Sequence, residues 1–317
     1  MIVITGGAGF IGSNLLKSLN EKKINNILIV EELDRFEKKF NNIKQMDFID
    51  CIDKNAFLNG IRQNSSKYQK IEKIFHLGAC SKTTEPDRDY IMNTNFSYSK
   101  ELLHFCSNHS IPLIYASSAS VYGEGKVFKE DKAHESFLNH YAESKLLFDN
   151  YYRQNQLKIR SQVVGLRYFN VFGPREDHKE GMASVIYHFS KQMKDSKKIK
   201  LFKGSHGYKD GEQRRDFVHV KDTIKVKEWF SDNNISGIYN VGTGLSRSFN
   251  DVANCVLNYY GDGIIEYIDF PIGLESQYQA FTEASIDNLR MSGFSNQFMT
   301  LENSVKDYLD WLNNDKK

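Results

Sequence analysis

Short apolar runs recur along the chain, and their spacing switches between that of a strand and that of a helix. Residues 2–5, Ile-Val-Ile-Thr, form a β-branched run that reads as a buried strand. A glycine cluster follows, after which residues 11–22 repeat apolar positions at helical spacing. Residues 26–31 supply a second buried strand, which completes one strand–helix–strand unit of about thirty residues. Further strand-like runs occupy residues 73–79, 112–117 and 161–169, and helical patterns at 89–108 and 141–155 separate them. Strands alternating with helices predict an α/β fold built on a parallel, doubly wound sheet.

The rhythm changes after Gly173-Pro174, where a charged loop leads to a helical pattern at about 182–194 and then to a lysine-heavy stretch before Leu201. Residues 237–242 read as another strand, and 248–260 and 301–313 as helices. The expected division is a first domain over residues 1–170 and a smaller C-terminal lobe over 171–317, with some return to the first domain at about 215–260. The glycine-rich, charged segment 206–214 is expected to be a mobile loop.

Composition narrows the classes. A hydrophobic fraction of 40% and a charged fraction of 26% are those of a soluble globular protein. The 42 basic and 40 acidic residues are mixed along the chain and leave a net charge of +2, so neither a nucleic-acid face nor a basic membrane arm is expected. Cys51, Cys80, Cys106 and Cys255 are widely spaced, which argues against a metal site and a disulfide framework and for free thiols in a reducing compartment. Met1 leads straight into a strand and no apolar run is long enough to span a bilayer, so a cytoplasmic enzyme without a membrane partner is expected.

Candidate chemistry begins in Thr-Gly-Gly-Ala-Gly-Phe-Ile-Gly-Ser at residues 5–13. Gly6 and Gly7 permit a tight turn, Gly9 lets the backbone approach a pyrophosphate, and Gly12 lets helix and strand pack closely. A pyrophosphate then meets unpaired amides at the helix N-terminus. Glu31 and Glu32 end the second strand, where an acidic side chain accepts hydrogen bonds from an adenosine ribose, which favours NAD. Arg35, Lys38 and Lys39 lie just beyond and offer a 2′-phosphate site instead, so the residues alone leave the phosphate state open.

Tyr141 and Lys145 sit at i and i+4 of one expected helix, so both project from one face. A lysine ammonium beside a tyrosine favours its phenolate, and the phenol then serves as a proton acceptor near neutrality. Upstream, Ser117, Ser118 and Ser120 end an expected strand at the sheet edge where ligands bind in such folds, and Ser118 can hold a substrate hydroxyl beside Tyr141.

Glycine loop, strand-end serines and Tyr-x-x-x-Lys stand here in the order seen in the short-chain dehydrogenase/reductase superfamily, and the resemblance covers the whole chain. It implies a Rossmann sheet. Arg-Tyr-Phe-Asn-Val-Phe-Gly-Pro-Arg at 167–175 and Arg-Arg-Asp-Phe-Val-His-Val-Lys-Asp at 214–222 resemble the extended branch that acts on nucleotide sugars. More narrowly, HLGACSKTTE, YSKELLHFC, GPREDHKEGMASV, LFKGS and QYQAFTEA resemble the family of ADP-heptose 6-epimerases of lipopolysaccharide core synthesis.

That resemblance implies an isomerase that inverts carbon six of ADP-D-glycero-D-manno-heptose through a transient ketone, with NADP (alternatively NAD) bound and recycled. It implies cofactor contacts from Gly6, Gly9, Phe10, Ile11, Gly12, Glu31, Glu32, Lys39 and Lys54, from Leu77, Gly78, Ala79, Cys80 and Ser81, and from Lys145, Val171 and Lys179. Substrate contacts fall on Asn170, Gly181, His188, Phe202, Lys203, Gly204, Ser205, Arg215 and Tyr278. Tyr141, Lys145 and Ser118 carry the chemistry, with Lys179 as a second acid/base, and the assembly implied is a homo-oligomer, a pentamer among the options. The chain departs from the family at Glu31-Glu32, where Asp-Asn is usual, and at Gly181, where serine is common. Dehydratases of the branch place an Asp-Glu pair beside the catalytic hydroxyl, and Ser118-Ala119-Ser120 here disfavours that reaction. A carbon-four epimerase of another nucleotide sugar is the nearest alternative. A catalytically silent dinucleotide-binding regulator has no need of Tyr141, Lys145 and Ser118 together.

Overall fold

The computed structural model describes residues 1–35, 37–271, 273 and 278–314, with the side chain of Arg35 outside that set. The first part runs β1 (Ile2–Thr5), α1 (Phe10–Glu21), β2 (Ile27–Glu31), α2 (Glu37–Phe40), β3 (Asp50–Asp53), α3 (Lys54–Arg62) and β4 (Lys73–His76). There follow α4 (Arg88–Ile91), a π-helical stretch Met92–Ser97, α5 (Tyr98–Asn108), β5 (Leu113–Ser118), α6 (His140–Asn155) and β6 (Val163–Tyr168). The remainder is β7 (Asn170–Phe172), α7 (Val185–Ser196), β8 (Lys198–Phe202), β9 (Arg214–Arg215), β10 (Phe217–His219), α8 (Val220–Asp232) and β11 (Gly237–Val241). It closes with β12 (Arg247–Ser248), α9 (Phe249–Tyr260), β13 (Ile264–Ile268), α10 (Asp287–Met291) and α11 (Leu301–Asn314).

The chain forms two compact units. The first comprises Met1–Gly123, Glu135–Arg167 and Ile224–Tyr239, and it holds the seven-stranded parallel sheet in the order β11-β6-β5-β4-β1-β2-β3. Every residue of β1 and β2 is buried, because helices cover both faces of a parallel sheet and leave no side for polar residues. One face packs Val3, Leu28, Val30, Ile74 and Leu113 against Phe57, Leu102 and Phe148. Burying each such side chain stabilises by roughly 1.5–3 kcal/mol. Strand order reverses between β1 and β4, whose carboxyl ends therefore open the crevice in which such sheets bind ligands.

The second unit comprises Glu124–His134, Tyr168–Thr223 and Asn240–Lys317. Three two-stranded pairs, β7 with β10, β8 with β13 and β9 with β12, form its frame. Its core joins Phe172, Ile186, Phe189, Val252, Val256, Val305 and Leu309. The helix expected over 89–108 runs unbroken from Arg88 to Asn108 and widens to π-helical geometry at Met92–Ser97, the stretch that holds Asn95.

Candidate active site

The glycine loop of the first unit is shaped by what it excludes. Gly6 has φ +68°, and a Cβ there would stand 2.6 Å from the Gly78 amide nitrogen. A Cβ on Gly12 would meet the Gly6 carbonyl oxygen at 2.1 Å, so the turn and the helix close only without side chains. Gly9 is the N-cap of α1 and brings no side-chain cap to the helix's first turn, the end of a helix that suits an anionic ligand. Glu31 at the end of β2 is buried. Its Oε1 accepts the Ala8 amide at 2.9 Å and its Oε2 pairs with Lys39 Nζ at 3.3 Å. Beside it, Glu32 Oε1 pairs with Lys54 Nζ at 2.7 Å.

Past β4, Leu77 through Cys80 are half-buried and Ser81 is exposed. The Leu77 amide donates to the Thr5 carbonyl at 3.0 Å, and the Gly78 amide donates to Thr5 Oγ1 at 3.0 Å. Thr5 Oγ1 also meets His76 Nδ1 at 2.7 Å, and His76 Nε2 meets Ser99 Oγ at 2.8 Å. Burial, then the charge of Lys145, pushes the His76 pKa down to about 3, so this ring is a neutral connector. Asn95 sits in the π-helical stretch, the kind of irregularity that often marks functional segments. Its Oδ1 accepts the Cys80 amide at 2.8 Å, and its Nδ2 reaches the Cys80 carbonyl and Ser144 Oγ, each at 3.0 Å. Asn95 thus ties the end of β4 to α6. No local pattern in the sequence pointed to it.

Ser118 ends β5 and Tyr141 lies in the first turn of α6, which Asn139 caps through its side chain at 2.9 Å from the Ala142 amide. Tyr141 lies beside Ser118, whose Oγ accepts from Ser120 Oγ at 2.9 Å. Burial pushes the Tyr141 phenol up and the Ser118 hydroxyl works against that rise. Lys145 is buried, donates from Nζ to the Ala116 carbonyl at 2.8 Å and lies 5.9 Å from the centre of the Tyr141 ring. Burial brings its pKa down to about 8, although the charge of Asp149 pulls upward. The structure therefore brings Ser118, Tyr141 and Lys145 together as a phenol, an ammonium and a hydroxyl that can handle a proton at a carbon-bound oxygen.

In the second unit, Asn170 is exposed at the start of β7, Val171 follows half-buried, and Asn170 Oδ1 accepts from Thr282 Oγ1 at 3.3 Å. The loop carrying Lys179 is fastened at its base by the buried carboxylate of Glu176, which accepts Ser184 Oγ at 2.6 Å and the Ser184 amide at 2.7 Å. The Lys179 amide donates to the Glu176 carbonyl at 2.9 Å. Burial lowers the Lys179 pKa and the Glu176 charge opposes the shift. Glu180, at φ 51° and ψ −121°, holds a backbone conformation that costs of order 1–3 kcal/mol. Gly181 is exposed, and a side chain there would meet nothing within 4 Å, so the backbone does not require glycine.

Arg215 and Tyr278 stand together, the guanidinium 5.0 Å from the ring centre, and Phe202 joins through Phe270, with ring centroids 4.4 Å and 5.1 Å apart. Arg215 is 7% exposed and pairs with no carboxylate among the described residues; a buried cation of this kind is suited to an anionic ligand. Ser205 Oγ accepts from Gln213 at 3.1 Å, Gly204 packs against the Tyr208 carbonyl so closely that a Cβ would stand 2.4 Å from it, and Lys203 pairs at the surface with Asp269. His188 lies on α7 against Tyr187 instead, with ring centroids 5.7 Å apart. Asp216, which sequence reasoning left unassigned, is buried and accepts amides from Thr243 at 2.7 Å, Gly244 at 2.9 Å and Ala284 at 3.1 Å. Among the described residues no His, Cys, Asp and Glu cluster could hold a metal ion, and no helix is long and apolar enough to cross a membrane.

The profile of the NAD dependent epimerase/dehydratase family matches residues 2–242, and the chain belongs to that family. It is 50% identical over 311 residues to the ADP-L-glycero-D-manno-heptose-6-epimerase of Alkalilimnicola ehrlichii, a match spanning 98% of this chain and 97% of the relative. Among solved structures it is similar to the ADP-L-glycero-D-manno-heptose-6-epimerase of Helicobacter pylori, with a TM-score of 0.85 and 32% identity over 99% of this chain and 96% of that one. It is also similar to the UDP-N-acetylglucosamine 4-epimerase of Methanobrevibacter ruminantium, solved with UDP-N-acetylmuramic acid, with a TM-score of 0.82 and 25% identity over 99% and 98% of the two chains. The glycine cradle that any Cβ would fill, the uncapped N-terminus of α1 and the acid–lysine pairs after β2 fit the nicotinamide nucleotide of this family.

Proposed function

We propose that this chain inverts carbon six of ADP-D-glycero-D-manno-heptose, giving ADP-L-glycero-D-manno-heptose through a transient ketone. The observation that carries this reading is the 50% identity, along 98% of the chain, to a relative of that name. The nicotinamide, when bound, accepts a hydride from the carbon-six alcohol and returns it to the opposite face, so no net oxidation results.

Gly6, Gly9, Phe10, Ile11 and Gly12 hold the pyrophosphate, the segment Leu77–Ser81 and Val171 line the nucleotide, and Lys39 and Lys54 serve its ribose. The nucleotide proposed is NADP. Glu31 already spends its oxygens on Ala8 and Lys39, and the lysines supply the cations a 2′-phosphate needs. NAD is the alternative, favoured if Glu31 or Glu32 turns to the ribose hydroxyls. Ser118 orients the carbon-six oxygen and Tyr141 takes its proton. The charge on Lys145 favours the phenolate. Lys179, its ammonium weakened by burial, is the acid/base for the second face. Arg215 grips the diphosphate, Phe202 and Tyr278 offer aromatic faces to the base, and Asn170, Gly181, His188, Lys203, Gly204 and Ser205 complete the substrate contacts.

The same resemblance supports residues 1–170 as the nucleotide-binding domain, 171–317 as mainly the substrate lobe, a cytoplasmic location and a homo-oligomer; sedimentation equilibrium decides whether a pentamer forms. The reaction is tested by incubating the purified chain with ADP-D-glycero-D-manno-heptose and separating the two carbon-six epimers by chromatography. Formation of an equilibrium mixture is expected. No conversion of this sugar, alongside turnover of a carbon-four epimer pair, transfers the assignment to that alternative.

A further inference from the structure

Tyr141, Lys145 and Asp149 are spaced at i, i+4 and i+8 on α6 and so share one face. Each rung of that face meets β5. Tyr141 lies beside Ser118, and Lys145 Nζ donates to the carbonyl of Ala116. Asp149, fully buried, accepts the Tyr115 hydroxyl at 2.8 Å and the Ser117 hydroxyl at 2.9 Å, the two side chains on either side of Ala116 that point to the same face of the strand. Arg167 on β6, equally buried, balances the carboxylate through Nε at 2.9 Å and continues to Glu135 at 2.6 Å and the Tyr122 hydroxyl at 3.0 Å. A buried ion pair is weak evidence for stability as such, because well-packed apolar residues do as well. This one grips the strand around the carbonyl that receives Lys145.

We propose that Asp149 is a positioning residue for the Tyr141–Lys145 pair: it locks α6 onto β5 in the register that aims Lys145 at Ala116 and sets Tyr141 beside Ser118. The inference rests on the reading of Tyr141 and Lys145 as the proton-handling pair. The groups that face Lys145 are Asp149 and Tyr141 on its own helix and, from β4 and the turn after it, His76, which burial holds neutral, and the Cys80 thiol, with an uncharged carbonyl from β5. Of these, Asp149 is the carboxylate. Removing its charge takes away the larger of the two influences that oppose burial, Cys80 being the other, so Lys145 loses its proton at lower pH and the alkaline limb of activity moves down with it.

The test uses the full chain with its bound nucleotide, labelled with [ε-13C]lysine, and follows the Lys145 resonance, assigned by its absence in Lys145→Met. In Asp149→Asn the titration midpoint of Lys145 should fall by about one pH unit or more. The kcat for ADP-D-glycero-D-manno-heptose at neutral pH should fall by about tenfold or more. KM and nucleotide content should stay near wild type, and Asp149→Glu, which restores the charge, should recover the midpoint. Glu135→Gln breaks the same network at its far end and should lower the Tm while leaving the midpoint in place. If Asp149→Asn loses Tm as Glu135→Gln does, yet keeps the wild-type midpoint and kcat, its role is merely structural and the proposal is overturned. Should Asp149→Asn not fold, Ser117→Ala, which spares the ion pair, decides: a several-fold loss of kcat at constant KM supports the register, and wild-type kcat overturns it. A wild-type chain that does not turn over the sugar counts against the assigned reaction, while the Lys145 midpoint still judges Asp149.

Discussion

A phenol buried beside a serine parts with its proton less readily than one in water, and Tyr141 is in that position. The reading therefore makes its hydroxyl indispensable and its ring replaceable. Tyr141→Phe should lose about 10²–10⁴-fold in turnover while keeping its nucleotide, measured by epimer separation and by acid extraction of the same preparation. If the variant keeps more than about a tenth of the activity, well short of what a positioned acid/base supplies, Tyr141 leaves the mechanism. His76 makes a prediction of a different kind. Burial holds it neutral down to about 3, whereas an unfolded histidine takes a proton near about 6.5. Between those values the unfolded chain binds more protons, so stability is intact above the upper value and falls by up to about 1.4 kcal/mol for each pH unit below it. Urea unfolding across that acid range should show a shallower loss in His76→Gln than in the wild type. Parallel slopes would show that the ring titrates freely in the fold.

At the scale of elements, the loop between Glu176 and Ser184 is short, strained at Glu180 and fastened at its base by one buried carboxylate. That construction suits a lysine that must be held still. Inverting a centre needs proton traffic on both faces, and if Lys179 serves one of them, Lys179→Met and Tyr141→Phe should each retain chemistry on a single face of a carbon-six aldehyde analogue while full epimerisation fails in both. Near wild-type interconversion by Lys179→Met would replace two bases with a ketone that rotates before Tyr141. Ser184→Ala should cost about 1 kcal/mol of stability through the lost cap of α7, and it should slow the Lys179-dependent half-reaction more than the other. Elements of this sort were only partly legible in the sequence. β1, the glycine loop and α1 follow one another within 21 residues, so period and glycine spacing sufficed. Tyr141 and Lys145 were legible for the same local reason. Asn95, Asp149 and Glu176 were not, because what they do depends on partners far along the chain or on burial, as with Asn95 and Ser144 at a separation of 49 residues or Asp149 and Ser117 at 32. β3, four residues with an aspartate at each end, has no apolar run to betray it.

Taken over the whole molecule, the proposed reaction starts and ends at one oxidation state, and that constrains how the chain treats its nucleotide. A chain that released the reduced nucleotide before the second half-reaction would strand its substrate as a ketone, so the nucleotide should stay bound through many turnovers. The glycine cradle supports such retention: Gly6 and Gly12 pack against backbone so closely that neither position admits a side chain, and a helix N-terminus without a side-chain cap follows. On the NADP reading, charge at the ribose end selects the species. Glu31 and Glu32 are each paired to a lysine, and a 2′-phosphate arriving there can draw Lys39 and Lys54 toward itself, whereas a plain ribose needs a carboxylate that is free to accept. The chain purified without added nucleotide should therefore convert ADP-D-glycero-D-manno-heptose on its own, release NADP on acid denaturation, and retain in the product a deuterium placed at carbon six of the substrate. Turnover that depends on added nucleotide would defeat recycling, and label lost to water would defeat a returned hydride. Release of NAD alone would mean that Glu31 or Glu32 abandons its lysine for the ribose hydroxyls; Lys39→Met and Lys54→Met should then leave nucleotide content unchanged, where the NADP reading expects both to reduce it.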